Sequence, residues 1–569
     1  MNSNLPLGAR FSLRENQGRC GNRFWLYEPA HPHMTFVMSP MRNALIFLFP
    51  DKPALSEADA LELLFRSGLP EIAERECIFV AIPVPLNGES WTAQDYDAYY
   101  NIQYVLSGGH IEFHGPGTPP VLEYPRYVYN NRQFVIGEGS GAAFINDVLA
   151  RQCNRIAGAC TFGGTMDSPD PGTMALPVYC VSPCETALRY YRTVNRTDTC
   201  SGDTEYCSLH PLRQIILREG PARISAPAVL DAWSRLFSRT ARVCVDDNIV
   251  CSNLSAKTWV LQEWPNYEEL GVREVEHTVD GYVCYDIVPE GLPEQYPLVI
   301  SCHGGGDDCL YHIHSCGWTR KCAEEQFLLI SPDFPDGIVN PDLGYHDFKP
   351  IADHIRKVLD YALSAYSIDR SRVYIAGFSM GSSVTAAAAL RYLPDFAACA
   401  VMGGMGYNDP WYEHHVRSFR YQYDMPALVL SGDADVMSLD VDYLGNPALF
   451  GVHSNNLPIN GLDRLREINK LPFGCADYGT FGIWGYPVDR TVVREDTGLT
   501  YRVGSIYRED MEAPVMQFVT FEGAGHAHSS FYATLCWDFM SQFARDSRGV
   551  IRVLRNSYPR ASTEKEDPN

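Results

Sequence analysis

The sequence predicts an α/β fold in which a mostly parallel sheet flanked by helices occurs twice, once in each half of the chain. Short apolar runs typical of buried strands are followed by helix-like stretches, as in parallel sheets. Runs of the first half also recur in the second half in the same order: 42–50 matches 297–302 and the loop after it, 131–143 matches 371–383, and 177–183 matches 426–432. We therefore expect two domains, at 1–262 and 263–555, and a disordered polar tail at 556–569.

The most informative segment is 377–381, which reads Gly-Phe-Ser-Met-Gly. A β-rich apolar run precedes it at 372–376, and a small-residue stretch suited to a packed helix follows at 382–390. Between a strand and a helix, such glycines allow a strained turn that lifts the central hydroxyl clear of the sheet. Ser379 is therefore predicted to be a nucleophile.

A serine hydroxyl needs a base to take its proton and an acid to orient that base. In this kind of fold the acid follows the serine in the chain, and the base follows the acid. The apolar run 426–430 leads into Ser431-Gly-Asp-Ala-Asp435, so carboxylates lie just past a strand end. Asp435 is the preferred orienting acid, and Asp433 is its competitor.

The last strand-like run, 515–521, leads into Glu522-Gly-Ala-Gly-His526. A histidine after a flexible glycine segment at a strand end suits the general base. His526 is therefore predicted to be the base, and a surface role is expected for the alternative, His528.

A glycine-rich loop follows another apolar run, 297–302, about 70 residues before the serine. Glycines let a backbone approach a substrate oxygen and donate N–H bonds to it. Gly304, Gly305 and Gly306, together with the amide of Met380, are therefore predicted to form an oxyanion hole.

These motifs resemble the polyhydroxybutyrate depolymerases and the feruloyl or acetyl-xylan esterases, a family within the α/β-hydrolase superfamily. The resemblance covers about 263–555 and rests on the glycine-rich loop, the serine pentapeptide, the Gly-Asp-Ala-Asp segment and the closing Gly-His pair. It implies an α/β-hydrolase fold for this half, and ester hydrolysis through an acyl-enzyme with neither a metal nor an organic cofactor. Together with the repeated segments of the first half, we expect tandem α/β-hydrolase-like domains.

The first copy is expected to be degenerate and non-catalytic. Aligning Gly137 and Gly141 with the two glycines of the pentapeptide puts Gly139 at the position of Ser379. Thr186 falls opposite the predicted acid, and no Gly-His pair closes the repeat.

Two alternatives to this alignment stay open. A slip of one residue puts Ser140 at the nucleophile position, but Glu138 then brings a side chain where the tight turn needs a small residue. The second alternative is that the first half is an unrelated α/β domain whose strand order matches that of the second half by chance.

Composition limits the partners of the protein. The 569-residue chain has a formal net charge of −23, which disfavours nucleic acids and anionic membranes. No apolar run approaches membrane-spanning length. The visible start lacks a secretory signal, so we expect a cytoplasmic protein, or a secreted one if a signal has been removed. A homo-oligomer is possible.

Eighteen cysteines without a signal favour reduced thiols. Several lie seven residues apart, and in an exported protein Cys153 with Cys160 and Cys200 with Cys207 would be plausible disulfide pairs. No paired zinc-type knuckles occur, so no metal is expected. His312 and His314 are expected to be loop histidines near the site entrance rather than ligands.

About 90 residues separate the predicted acid from the predicted base, more than a simple connection needs. This insertion contains a helix-like segment at 461–469, an aromatic stretch at 478–486 and a hairpin-like segment at 491–507. Trp318, Trp411 and Trp484 are candidates for a substrate pocket above the serine, or else for packing against the first domain.

The expected function is hydrolysis of a carboxylic ester of a short-chain, oligomeric hydroxyacid or hydroxycinnamoyl type. The same three side chains also suit a serine peptidase or amidase. The third hypothesis is that the protein is a non-catalytic scaffold.

Overall fold

The structure is a computed structural model of the chain. It describes residues 5–16, 20–32, 43–109, 111–112, 121–128, 131–170, 172, 174–245, 259–305, 307–334, 338–340, 345–404, 423–435, 439–441, 447–449, 461–471, 477–485, 490–494 and 499–554. The predicted tail at 556–569 lies outside these residues.

The first half contains a ten-stranded sheet. Its strands in chain order are β1 (Arg10–Asn16), β2 (Asn22–Glu28), β3 (Ala44–Phe49), β4 (Ile78–Pro83), β5 (Gln133–Glu138), β6 (Gly158–Phe162), β7 (Val178–Val181), β8 (Thr199–Ser201), β9 (Thr204–Cys207) and β10 (His210–Arg218). Their order across the sheet is β1-β2-β4-β3-β5-β6-β7-β10-β9-β8.

The second half contains another ten-stranded sheet. Its strands are β11 (Val272–Val279), β12 (Tyr282–Pro289), β13 (Tyr296–Cys302), β14 (Leu328–Pro332), β15 (Ile368–Phe378), β16 (Ala398–Met402), β17 (Ala427–Gly432), β18 (Arg490–Arg494), β19 (Leu499–Ile506) and β20 (Met516–Phe521). Their order is β11-β12-β14-β13-β15-β16-β17-β20-β19-β18, the same as in the first sheet.

The two sheets also agree in strand direction. In each, the inner strands run parallel, and antiparallel strands complete both edges. The inner strands are rich in buried apolar residues because helices cover both faces of each sheet. The predicted tandem α/β-hydrolase-like fold is therefore confirmed.

Helices follow most of the inner strands. In the first half they are Glu57–Arg66, Leu69–Glu76, Asp95–Leu106, Ser140–Phe144, Glu185–Asn195 and Ala226–Arg235. In the second half they are Tyr267–Leu270, Cys309–Ser315, Trp318–Glu325, Lys349–Ala365, Met380–Arg391, Gly461–Ile468, Tyr478–Phe481 and Tyr532–Met540. The helix predicted at 461–469 and the hairpin predicted at 491–507 are both present, the latter as β18 and β19.

Strand register relates the two halves residue by residue. Phe49 of β3 pairs with Gly137 of β5, as Cys302 of β13 pairs with Gly377 of β15. The glycine-rich loop after Cys302 therefore corresponds to the segment after Phe49. This correspondence was expected from the repeated sequence pattern.

A hairpin between the sheets contacts both halves. Its strands are Thr240–Cys244 and Trp259–Glu263, which pair antiparallel. The buried Arg242 guanidinium donates to the carbonyl oxygen of Ile156 at 2.7 Å in the first half. The Gln262 side-chain amide donates to the carbonyl oxygen of Ser315 at 2.8 Å in the second half. The two halves therefore meet through ordered structure.

None of the helices in the described part of the chain combines the length and apolar character needed to cross a bilayer.

Candidate active site

The turn between β15 and the helix Met380–Arg391 fixes the position of Ser379. Its backbone has φ 53° and ψ −119°, in the left-handed half of the φ range where a residue with a side chain is strained. A Cβ on Gly377 would lie 2.2 Å from the carbonyl oxygen of Gly381, and one on Gly381 would lie 2.2 Å from that of Cys302. Both positions therefore require glycine, because a neighbouring backbone oxygen lies where a Cβ atom would be.

Ser379, His526 and Asp435 form a hydrogen-bonded chain. The Nε2 atom of His526 lies 2.8 Å from the Oγ of Ser379. Its Nδ1 lies 3.0 and 3.1 Å from the two carboxylate oxygens of Asp435. Asp435 and His526 are both buried. An Nδ1–H that donates to the carboxylate leaves Nε2 free to accept the serine proton.

The competing carboxylate, Asp433, has another partner. It accepts a hydrogen bond of 2.6 Å from the backbone N–H of Gly523. This bond holds the turn that leads to His526. Asp433 therefore anchors the loop, whereas Asp435 contacts the imidazole.

The histidine loop is also held from the hairpin between the sheets. The N–H of Gly525 donates to the carbonyl oxygen of Val245 at 3.0 Å. The ring of Phe378 lies against the His526 imidazole, with centroids 4.9 Å apart. These contacts restrict the imidazole from two sides.

The glycine-rich loop lies directly against the nucleophile. A Cβ on Gly304 would be 3.3 Å from the Cβ of Ser379, and one on Gly305 would be 3.6 Å from the Cβ of Met380. The predicted Gly306 lies outside the described residues. The loop backbone is thus close enough to Ser379 for its N–H groups to face an oxygen bound there.

His303 supports this loop, a role that the sequence analysis did not assign. Its Nδ1 contacts the carbonyl oxygen of Gly304 at 2.7 Å, and its Nε2 lies 3.2 Å from the carboxylate of Asp333. Burial alone lowers the pKa of His303, but the hydrogen bond and negative charge of Asp333 outweigh it, so the pKa is raised. The sequence feature that could have indicated this role of His303 is Asp333, a carboxylate directly after the strand that ends at Pro332.

The predicted aromatic pocket is not supported at two of its three positions. Trp318 is completely buried and packs edge-on against Phe327, with centroids 6.3 Å apart. Trp484 is buried and stacks on Phe518 at 5.1 Å. Both rings fill the core because helices place them over the sheet. Trp411 lies outside the described residues.

Three histidine predictions were wrong. His528 is 2% exposed rather than on the surface. His312 and His314 belong to the helix Cys309–Ser315 and are buried, not in a loop at the site entrance. The two side chains point to nearly opposite sides of this helix, and both are covered because every residue of the helix is buried.

The first half has the same turn as the second, with glycine at the position of the serine. Gly139 has φ 53° and ψ −117°, nearly the same as Ser379, so the structure supports the alignment of these two positions rather than the slip to Ser140. A Cβ on Gly139 would lie 2.1 Å from a carboxylate oxygen of Asp51. That oxygen accepts a 2.8 Å hydrogen bond from the N–H of Ser140. A carboxylate therefore occupies the space corresponding to the nucleophile.

All cysteines within the described residues are free thiols, including the spaced pairs Cys153 with Cys160 and Cys200 with Cys207.

Short stretches of the chain are similar to curated ester hydrolases. Identity is 30% over 128 residues with poly(3-hydroxyalkanoate) depolymerase C of Paucimonas lemoignei, covering 21% of this chain and 30% of that protein. It is 30% over 117 residues with a bifunctional acetylxylan esterase/xylanase of Neocallimastix patriciarum, covering 20% and 17%. It is 30% over 128 residues with feruloyl esterase B of Thermothelomyces thermophilus, covering 22% and 44%. The chain spans less than half the length of each of these relatives.

Solved structures give weaker similarities, and no protein-family model matches the chain. An acetyl xylan esterase from Aspergillus awamori matches with 16% identity and a TM-score of 0.30, over 48% of this chain and 98% of that one. A feruloyl esterase module from Clostridium thermocellum matches with 13% identity and a TM-score of 0.30, over 47% and 86%. The fold assignment rests on the two sheets: the chain has a tandem α/β-hydrolase-like fold, and short stretches of it are similar to a polyhydroxyalkanoate depolymerase, an acetylxylan esterase and a feruloyl esterase.

Proposed function

We propose that the second half hydrolyses a carboxylic ester through an acyl-enzyme. The observation that carries this proposal is the 2.8 Å contact between His526 Nε2 and Ser379 Oγ, with Asp435 on the other ring nitrogen. These groups supply a nucleophile, a base and an orienting acid in one hydrogen-bonded line.

In the proposed mechanism, His526 removes the proton of Ser379 as the serine oxygen attacks the ester carbonyl. The oxyanion accepts hydrogen bonds from the N–H groups of Met380 and of the loop containing Gly304 and Gly305. His526 then donates its proton to the leaving alcohol. Water, activated by the same imidazole, attacks the acyl-enzyme and releases the acid.

The proposed substrate is a short-chain, oligomeric hydroxyacid or hydroxycinnamoyl ester. The names of the similar proteins support this class, since they cover polyhydroxyalkanoate, acetylxylan and feruloyl esters. The net charge of −23 disfavours strongly anionic polymers.

We further propose that the first half, within about 1–262, is non-catalytic. The Asp51 carboxylate accepts from the amide that corresponds to Met380, at the position where an oxyanion would bind in the second half. A negative charge already held there opposes the formation of a second one. Residue 139 moreover provides no nucleophile.

A chain-length series of p-nitrophenyl esters, with methyl ferulate and a p-nitroanilide, tests the proposed activity. We expect turnover of esters over the anilide, loss of turnover in Ser379→Ala, and labelling of Ser379 by a fluorophosphonate. A folded Ser379→Ala variant that retains full turnover would refute the proposal, and a preference for the anilide would favour an amidase.

A further inference from the structure

A buried group of three metal-ligating side chains lies behind the oxyanion loop, outside the chain of Ser379, His526 and Asp435. His312 and Cys316 are one helical turn apart, at the helix Cys309–Ser315 and its C-terminal cap. His528 comes from the loop that follows β20. One ligand atom from each of the three lies within 4.8 Å of the others.

The geometry of the first two residues is close to that of a tetrahedral metal site. His312 Nδ1 lies 3.7 Å from Cys316 Sγ. Typical Zn–N and Zn–S bonds place two such ligand atoms roughly 3.5 Å apart. The other ring nitrogen of His312, Nε2, is 2.8 Å from the Ser301 hydroxyl, which fixes the ring with Nδ1 toward the sulfur.

His528 provides an independent indication that something is bound here. Its side chain is almost completely buried, yet within the described residues neither ring nitrogen makes a hydrogen bond of acceptable geometry. Nε2 has only an ion-pair contact of 3.3 Å with the Asp307 carboxylate. Leaving a buried polar nitrogen without a partner is unfavourable, and a metal ion bound to one ring nitrogen of His528 would remove that cost for this nitrogen.

The site also contains groups that would balance the charge of a divalent ion. These are the Cys316 thiolate, once its proton is displaced by the metal, and the nearby carboxylate of Asp307, 3.3 Å from His528 Nε2.

We propose that His312, Cys316 and His528 bind a divalent transition metal that accepts nitrogen and thiolate ligands, with Zn²⁺ as the best fit. Binding exchanges the Cys316 S–H proton for a metal–sulfur bond, and the proton is released to solvent. The ion would join the helix Cys309–Ser315 to the loop that carries His526. Its role is therefore to hold the active-site loops in place, and it takes no part in the proposed ester hydrolysis.

Titration of the chelator-treated full-length protein with Co²⁺ tests the site. We expect one equivalent of Co²⁺ to bind with a thiolate-to-cobalt charge-transfer band in the near ultraviolet, and Zn²⁺ to displace it. Cys316→Ser should abolish this band. The matched control is Cys322→Ser, which alters another fully buried thiol whose hydrogen bond to the Thr319 carbonyl a serine can replace.

Absence of the band in the wild-type protein would overturn the proposal without the need for any variant. Retention of the band in Cys316→Ser, or its loss in the folded Cys322→Ser control, would also overturn it. Thermal unfolding gives a second measurement: Zn²⁺ should raise the Tm of the wild-type protein and leave that of His528→Asn unchanged. An equal rise in both would rule out His528 as a ligand.

Discussion

Asp435 and Asp433 are two residues apart, but their surroundings assign them different roles. Asp435 is buried against the His526 imidazole, whereas Asp433 accepts from a backbone N–H in the turn before it. The choice between them depends on which carboxylate the strand end directs inward. The pair therefore offers a matched test of the proposed catalytic role.

We expect Asp435→Asn to lower kcat/KM by roughly 10⁴-fold, because an amide at this position favours the wrong imidazole tautomer. Asp433→Asn should change kcat/KM only slightly, since its amide oxygen can still accept from Gly523. Steady-state kinetics on the best p-nitrophenyl ester would measure both. Similar losses in the two folded variants would contradict the assignment of the acid.

The raised pKa of His303 predicts a pH-dependent contribution to stability. This contribution is fully present below the pKa of an unfolded histidine, about 6.5, and is lost as the pH rises through the higher folded value. Because the Asp333 side chain is half exposed, we expect less than about 1 kcal/mol.

Urea unfolding of the wild-type protein and Asp333→Asn from pH 5 to 9 measures this effect. The wild-type advantage in free energy of unfolding should be largest at the acidic end and shrink as the pH rises. An advantage that grows with pH would show that His303 is not held protonated by Asp333.

At the scale of elements, both halves contain the same strand–turn–helix unit, but the helices that follow the turn differ. In the second half the helix Met380–Arg391 is regular and rich in alanine, and it packs closely on the sheet. In the first half the α-helix ends at Phe144 and continues as the π-helical turn Ile145–Leu149. The turn geometry is nevertheless the same, because the glycines on either side of it are present in both copies.

Gly381→Ala should therefore be destabilising, by roughly 2–4 kcal/mol if the backbone yields only in part. Its Cβ would lie 2.2 Å from a backbone oxygen of β13, which cannot move aside as a flexible side chain can. The control is Gly21→Ala, whose Cβ would have no neighbour within 4 Å. Chemical denaturation measures both variants, and equal stability would contradict the close packing of turn and strand.

At the scale of the molecule, the two sheets share one strand order but differ at the turn, where the second half has a serine in contact with a histidine and the first half has Gly139. The hairpin Thr240–Cys244 and Trp259–Glu263 contacts both halves, and the carbonyl of Val245 just after its first strand holds the loop of His526. The proposed boundary near 262 therefore falls inside an ordered element. We infer that the first half supports the second through this connection.

If the first half is non-catalytic, Ser140→Ala should leave ester turnover within a few-fold of the wild-type value. The Ser140 hydroxyl donates to the backbone carbonyl of Asp51 rather than to a base. The p-nitrophenyl ester assay used for Ser379→Ala measures this, with circular dichroism to verify folding. Loss of turnover in folded Ser140→Ala would reverse the assignment of the two halves.

The residue pattern was enough to predict the α/β class, the repeat, and Ser379 and His526, and to prefer Asp435 over Asp433. Their signals are local: a glycine turn between a strand and a helix, or a polar residue just past an apolar strand. The parallel arrangement of the strands brings such positions to one edge of the sheet, so order along the chain was sufficient to find them.

Only the tertiary structure decided the surroundings of these residues. Which side chains are buried depends on which face an element packs against its neighbours, as at Trp318, Trp484 and His528. The same holds for the contact of His303 with the Gly304 carbonyl, and for the Asp51 carboxylate beside Gly139. Composition cannot reveal this, because the contacts join segments far apart in the chain. The cluster of His312, Cys316 and His528 was hidden for the same reason, because His528 lies more than 200 residues from the other two in sequence although their ligand atoms lie within 4.8 Å of one another in space.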